Sequence, residues 1–465
     1  MKLRTSVNMT VILAVLAAPT IWPLDHATAQ PEVISTAKPA VEIPTAGGFL
    51  SLRQALEIAL LRHPVLQEGD ATLKAATART EQTRSLYYPQ IGANFDTIAG
   101  VGRVNPRFVA PAGAMLQPNL SQYAGGVTAS QRVFDFGFTQ NLVESADMAA
   151  RAQEQDVNGR RAVVIVNVQR TYFNSLKRRR LVQIAEETVR ERGTIKFQIE
   201  QFYRKQLKSK LDLNLVQVEL TNAQSQLVRA RNDLKASFAD LNRAMGIAGP
   251  EDYILEDLPV DVRTLRSMEA LISESLSHPE LKKAKELVAS AAARLRATKR
   301  QYLPTVSAFA SAGDYHAFDS DRKVSEGGWW TAAGMISVPL FTGFLIENQV
   351  REASAQQVAA EAGSMNIEQA LTQQVTNAYL DTITFAQQIK LAEEQVMTAR
   401  EALRLAKERY KLGLANVVEV TQSEVALTAA QTRLADSQYD YKIAEVTLAY
   451  AAGLTTTYDS NALFR

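Results

Sequence analysis

Apolar residues recur every seven positions over two long stretches of this chain. In the first, Leu213, Leu220, Leu227, Leu234 and Leu241 form one line, beside a second of Val216, Ala223, Ala230, Ser237 and Ala244. In the other, Val420, Leu427, Leu434, Tyr441 and Leu448 run beside Ser423, Ala430, Ser437, Ala444 and Ala451. A seven-residue repeat keeps one stripe of a helix turned toward a neighbouring helix, so both stretches predict coiled-coil helices. Large residues on one line and small ones on the other let the helices approach closely. A further seam precedes the second stretch, with Ile389, Val396, Leu403 and Tyr410 beside Ala392, Ala399 and Ala406. Helices of about 35 to 40 residues span roughly 55 Å at ~1.5 Å per residue.

Elsewhere the period changes to two. Helical patterns from Leu52 to about Leu86 and from about Met268 to Gln301 stop short of Pro89 and Pro304, where a helix cannot continue but a strand can begin. After Pro89, Ile91, Ala93, Phe95 and Thr97 alternate with Gly92, Asn94 and Asp96; after Pro304, Val306, Ala308, Ala310 and Ala312 alternate with Ser307, Phe309 and Ser311. The returning segments are Tyr123 to Phe134 and Trp329 to Phe341, with turn-forming loops between, Asn105 to Ser121 and Asp319 to Gly328. Two hairpins are therefore expected, at about 89–135 and 304–341.

These hairpins suit either a small soluble β-domain or a wall between lipid and a wet lumen. Their strands are long, weakly hydrophobic and poor in charge, which favours the wall. Trp329, Trp330, Tyr315 and Phe318 cluster near one loop, as an interfacial aromatic girdle would. Four strands cannot close a barrel, and open edges in lipid leave backbone groups unpaired. If the strands span a membrane, the chain must oligomerise.

The two halves share one plan. His63-Pro64 reappears as His278-Pro279 at an offset of 215 (278 − 63), and Tyr172 reappears as Tyr379, Tyr203 as Tyr410 and Gly246 as Gly453 at an offset of 207 (379 − 172). The first half thus carries 8 extra residues (215 − 207) between positions 89 and 172, and a slip confined to one stretch marks a loop. Residues 51–262 read as repeat 1 and 263–465 as repeat 2, an internal duplication of a domain-sized module.

At the amino terminus, Lys2 and Arg4 precede an apolar run, Met9 to Ala18, too short to span a bilayer. Ala27-Thr28-Ala29 completes the pattern of a secretory signal at residues 1–29, followed by a flexible lead at 30–50. No later segment reaches 18 uninterrupted apolar residues, so insertion in a membrane requires a barrel.

Composition removes other chemistries. The chain of 465 residues has no cysteine, which excludes disulfides, thiolate metal sites and a lipid-modified amino-terminal cysteine. Four histidines without ligand spacing argue against a metal centre, and no cofactor is expected. A net charge of +2 gives no reason to expect nucleic acid, and Lys177-Arg178-Arg179-Arg180 reads as a solvated helix face.

Between the long helices of the second half lies Tyr410-Lys411-Leu412-Gly413-Leu414-Ala415-Asn416-Val417-Val418-Glu419. Gly413 ends one helix as a left-handed cap would, and Asn416 begins the next with Glu419 three residues on, a capping-box spacing. In the first half Ser209 and Asp212 repeat the box while Gln206 stands where the glycine would be. Carboxylates at Glu419 and Asp212 are expected on capping and dipole grounds alone, at about 0.3–1 kcal/mol.

This turn, followed by a heptad helix and combined with the paired proline-initiated hairpins, resembles the TolC-type outer membrane efflux protein family. Leu340-Phe341-Thr342-Gly343 and Val133-Phe134-Asp135 resemble its strand-exit motif, and the resemblance covers about Leu52 to Leu454. It implies an α+β membrane protein: a homotrimer giving four strands per protomer to one transmembrane β-barrel, continuous with a long periplasmic α-helical coiled-coil barrel. It also implies an outer-membrane location, contact with outer membrane lipid, a periplasmic adaptor, and an inner-membrane pump or ABC transporter. The function implied is a passive export duct of a tripartite efflux pump or type I secretion system, gated at its periplasmic tip. On the family pattern Leu412, Gly413, Leu414 and Ala415 match the adaptor-contacting tip and Glu419 matches an acid facing the lumen, while Gln422 stands where a second such acid is expected, a departure from a double acidic ring. Tyr410, Tyr203 and Asp212 join Glu419 as gate or cap residues, while the basic stretch Arg204 to Lys210 departs from the pattern. The competing classes are a secreted coiled-coil scaffold without transport, and an enzyme. Acid pairs such as Glu186-Glu187 sit on a polar helix surface rather than in a pocket pattern, so the chain reads as no enzyme.

Overall fold

The computed structural model of the chain describes residues 47–99, 120–248, 252–319, 322–454 and 463. The signal segment, most of the lead and the bulk of the 105–121 loop lie outside these residues. After a short strand β1 (Phe49–Leu50), helices α1 (Leu52–Arg62) and α2 (Pro64–Arg84) lead into strands β2 (Gln90–Ala99) and β3 (Leu120–Phe134). Two long helices follow, α3 (Phe138–Arg204) and α4 (Lys210–Met245). A second series begins after β4 (Ile254–Leu255), with α5 (Met268–Ser275), α6 (Pro279–Arg300), β5 (Thr305–Asp319), β6 (Arg322–Ser337), α7 (Leu345–Lys411) and α8 (Val417–Ala451). No helix among the described residues is long and apolar enough to cross a membrane.

The helices before each hairpin are split, where one was expected. His63 and His278 are the break points. Each is followed by proline at the first helical position, and each imidazole Nδ1 accepts from a backbone N–H two residues on, of Val65 and Glu280, at 3.2 Å. The histidine caps a new helix whose first N–H the proline has removed. Beside these caps stand two left-handed glycines, Gly246 after α4 (φ +71°) and Gly453 after α8 (φ +75°). A Cβ on Gly246 would lie 2.7 Å from His63 Cα, and one on Gly453 would lie 3.3 Å from His278 Cα. The end of α4 therefore abuts the start of α2, and the end of α8 abuts the start of α6. Along α3 both α4 and α2 pack, and along α7 both α8 and α6.

Helices α3 and α7 have 67 residues each, about 100 Å, well beyond the 35 to 40 expected from the seams. No proline interrupts either stretch, so nothing stops propagation past the heptad segments. Helices α4 and α8, of 36 and 35 residues, match the expected length. Both seam lines supply buried residues: Val216, Ala223, Ser237 and Leu241 on α4, and Val420, Ala430, Ser437, Tyr441, Ala444 and Leu448 on α8.

Of the Lys177–Arg180 run only Arg180 is exposed to solvent as expected; the other three reach across to neighbouring elements. Lys177 reaches Asp440 at 3.0 Å and Asp436 at 3.3 Å on α8, Arg178 reaches Asp233 on α4, and Arg179 donates to Leu255 O at 2.7 Å. Tyr172 Oη adds a bridge to the carbonyls of Leu50 (2.9 Å) and Glu256 (3.0 Å), fixing the parallel pair β1–β4 against α3.

The four longer strands form one antiparallel sheet in the order β2-β3-β5-β6. The second hairpin is tighter than expected: β6 starts at Arg322, so most of Asp319 to Gly328 is strand, and it ends at Ser337, two residues before Pro339. The registers align residues in rows across all four strands. The row Ala93–Val127–Ala312–Trp330 is apolar, as is Ile91–Ala129–Ala310–Ala332, whereas the row Gly92–Thr128–Ser311–Thr331 is small and polar. Adjacent rows face opposite sides, so over these rows one face is apolar and the other small and polar, while Asp314, His316 and Glu326 continue the first face toward Asp319. That alternation divides the expected aromatic girdle. Trp330, 63% exposed, and Phe318, edge-on to Tyr123 at 6.1 Å, lie on the apolar face. Trp329 and Tyr315 lie on the other face, where the Trp329 ring covers Gly126 and Gly313.

Candidate functional site

The two helical hairpins α3–α4 and α7–α8 turn back at one end over a shared apolar cluster. Ile195 and Ile199 of α3, Val216 of α4, Leu403 and Ala406 of α7, and Val417 and Val420 of α8 are buried together, with Leu213, Tyr410 and Leu427 against them. Four helices converge at one plug, and both turns hang from it.

In the turn after α7, Gly413 has φ +75° and its N–H reaches Tyr410 O at 3.1 Å, while Leu414 N–H reaches Arg409 O at 2.8 Å. This pairing satisfies carbonyls that the helix end leaves open. Leu412 and Leu414 project outward, 73% and 68% exposed, with Ala415 half-buried between the turn and α8. Asn416 Oδ1 accepts from Glu419 N–H at 3.0 Å. The expected reciprocal bond from Glu419 is replaced by an ion pair, Glu419 Oε1 to Arg409 Nε at 3.6 Å. The acid thus ties the start of α8 to the end of α7.

The turn after α3 has the same backbone on other residues. Gln206 takes φ +61°, its N–H reaching Tyr203 O at 2.8 Å, and Leu207 N–H reaches Phe202 O at 2.9 Å. Ser209 and Asp212 form a complete capping box at 3.2 Å in both directions. Leu207 and Leu211 are each 65% exposed.

Of the sequence-predicted gate residues, the structure brings Tyr410 and Asp212 together and leaves Tyr203 at the surface. Tyr410 is half-buried on the plug, and Lys208 Nζ from the opposite turn sits 4.4 Å from its ring centroid. Burial raises the Tyr410 hydroxyl above its ordinary value, and the Asp212 charge adds to that rise. Tyr410 and Lys208 link the two turns directly.

One group of functional residues was missed by sequence reasoning. Just above the plug Glu424 of α8 is 6% exposed and Arg192 of α3 is 7% exposed. Arg192 donates to Glu219 Oε2 at 2.8 Å, Lys407 reaches Glu191 at 3.0 Å, and Lys407 lies 3.8 Å from Glu424. Glu424, Arg192 and Glu191, with Glu187, Thr188 and Thr428, border a cavity of about 30 Å³. Burial pushes the Glu424 carboxyl up to about 7; Lys407 and Arg192 oppose the rise, and Glu191 and Glu219 add to it. The signal in sequence was an acid four residues after a seam position, Val420, which reads as a flanking charge unless the fourth helix is in place.

A family model described as outer membrane efflux protein matches residues 55–247 and 271–454. The chain is 23% identical over 455 residues to the outer membrane protein TolC of Escherichia coli (strain K12), covering 90% of this chain and 86% of that protein. It is 24% identical over 393 residues to the solvent efflux pump outer membrane protein SrpC of Pseudomonas putida, covering 83% of each. Among solved structures it is similar to the outer membrane protein VceC from Vibrio cholerae, with a TM-score of 0.73 and 20% identity over 86% of this chain and 96% of that one.

Proposed function

The chain belongs to the outer membrane efflux protein family, and on that premise we propose how it builds its duct. It is an outer membrane channel of the tripartite efflux pump type, with its helical part in the periplasm. Residues 51–262 and 263–465 are two copies of one module, a reading supported by the recurrence of the same element series in each half. The sheet is the carrying observation. Its edge strands β2 and β6 have no second partner among the described residues, and across its central rows one face is apolar and the other small and polar. A lipid-facing wall with open edges must close by joining copies of itself. Two copies give eight strands (2 × 4), an interior that side chains fill; three give twelve (3 × 4) and leave a lumen. The homotrimer is therefore the assembly proposed, with Trp330 and Phe318 toward lipid and Trp329 and Tyr315 toward the lumen.

The turns are the proposed docking end for a periplasmic adaptor, which connects the duct to an inner-membrane pump. Leu412, Leu414, Leu207 and Leu211 are exposed apolar side chains grouped at the two turns. Such a duct moves cargo passively, and energy enters through the inner-membrane partner. Gating is a rearrangement of α7–α8 against α3–α4, restrained between the hairpins by the Lys208–Tyr410 contact, with the Glu419–Arg409 pair holding α8 to α7 within the second hairpin. Heat-modifiable trimers in outer membrane fractions and stepwise conductance in planar bilayers are the expected results. Glu419→Ala should raise the conductance by freeing the start of α8 from Arg409. A monomer confined to the soluble periplasmic fraction would overturn the channel reading, and unchanged Glu419→Ala conductance would leave that residue a helix cap alone.

A further inference from the structure

The two helical hairpins meet chiefly along α3 and α8, and this seam is layered. At its end lies the apolar plug. Next comes the charged layer of Glu424, Arg192, Glu219, Glu191 and Lys407, then the Thr188–Thr428 hydroxyl pair at 3.3 Å, then Lys177 with Asp436 and Asp440. Polar layers hold well only while every group is paired, and water replaces their contacts when they separate. The charged layer is unbalanced. Its three facing acids, Glu424, Glu191 and Glu219, meet two cations, Lys407 and Arg192, and Glu187 lines the same cavity. Arg192 is committed to Glu219 at 2.8 Å and Lys407 to Glu191 at 3.0 Å. Glu424 Oε1 and Arg192 Nε, both buried, have no hydrogen-bond partner among the described residues. An ionised Glu424 would have to share Lys407, 3.8 Å away, with Glu191, and is therefore the member without a cation of its own.

We propose, on the channel reading above, that Glu424 is a proton-dependent latch between the two hairpins: carrying its proton it lets α8 stay packed on α3, and losing it loosens the tip. The charges facing it come from every neighbouring element: Glu191 and Arg192 on α3, Glu219 on α4 and Lys407 on α7. The carboxyl titrates near 7 when packed and near its ordinary 4.5 when solvated, so packing is favoured at low pH and loses that support as pH rises through about 7. From pH 5 to pH 8 the ratio of packed to loosened tip falls by up to about 10²-fold per protomer.

The test is single-channel recording of the purified full chain in planar bilayers at constant ionic strength from pH 5.5 to 8.5. Wild-type conductance should rise with pH around a midpoint near 7. Glu424→Gln, which mimics the protonated acid, should remain at the low-pH level throughout. Glu191→Gln removes a charge that raises the Glu424 carboxyl and releases Lys407 toward it, so the midpoint should move to lower pH; a purely structural role would not shift it. If Glu424→Gln fails to assemble, Glu191→Gln decides. A flat wild-type profile, an unmoved midpoint in Glu191→Gln, or an unaltered profile in Glu424→Gln overturns the latch while leaving the channel intact. Absence of any step-like current at any pH overturns the channel and the latch together.

Discussion

In the turn after α3, Gln206 holds a left-handed φ of +61°; in the turn after α7, Gly413 holds +75°. The hydrogen bonds around them correspond one for one, although one turn is lysine-rich and the other carries glycine. At the opposite ends of α4 and α8 the left-handed residue is glycine in both places, Gly246 and Gly453. The difference is crowding. Nothing lies within 4 Å of a Cβ built on Gly413, whereas one on Gly246 meets the His63 backbone at 2.7 Å. An exposed turn can bear a side chain in a left-handed position at a cost of about 1–2 kcal/mol, but the junction at Gly246 leaves no room for one and that at Gly453 little.

The sharpest way to break this comparison is Gly246→Ala, which combines a backbone clash with the left-handed penalty. It should cost on the order of 3 kcal/mol, against about 1–2 kcal/mol for Gly453→Ala, read from thermal unfolding of the detergent-solubilised protein. Next come the facing caps. His278→Ala should destabilise by about 2 kcal/mol and His63→Ala by about 1 kcal/mol, because His278 is 1% exposed and packs edge-on to Tyr450 at 5.3 Å. Burial lowers both imidazoles below their ordinary 6.5, so each cap contributes fully above pH 6.5 and its contribution fades as pH falls below that value. The gap between wild type and His278→Ala should therefore narrow from pH 7.5 to pH 5.5.

At the tips the reciprocal exchange sharpens the same point. Gln206→Gly should stabilise by about 1 kcal/mol and Gly413→Gln should cost about as much, with adaptor binding measured in parallel to separate folding from docking. The smallest effect separates the two N-caps. Ser209→Ala removes a reciprocal box and Asn416→Ala a single bond, so the first should cost a few tenths of a kcal/mol more than the second.

Much of this architecture was legible because it rests on periodicity. The heptads marked α4 and α8, proline placed the strand starts at Gln90 and Thr305, and the shared offsets gave the order of elements. What escaped depended on partners distant in sequence. The basic run at Lys177 looks solvated until Asp440 on α8, 263 residues away, reaches it. Trp329 and Trp330 read as one girdle until the strand register puts them on opposite faces. Glu424 gives no signal of its own, since its burial is set by Arg192 of α3 and Lys407 of α7 rather than by its neighbours in the chain.

The abutment of α4 on α2 at Gly246 and His63 also has a mechanical side. Beside the unbroken 67-residue α3, the neighbouring track is two segments, 36 and 21 residues, meeting at a splice without a continuous backbone. The second half repeats this with α7 beside α8 and α6, spliced at Gly453 and His278. Each wall is thus a stiff beam laid against a jointed strut. Bending concentrates at the joint, so a strut can swing at the turn end while the segment beyond the splice keeps its place beneath the sheet.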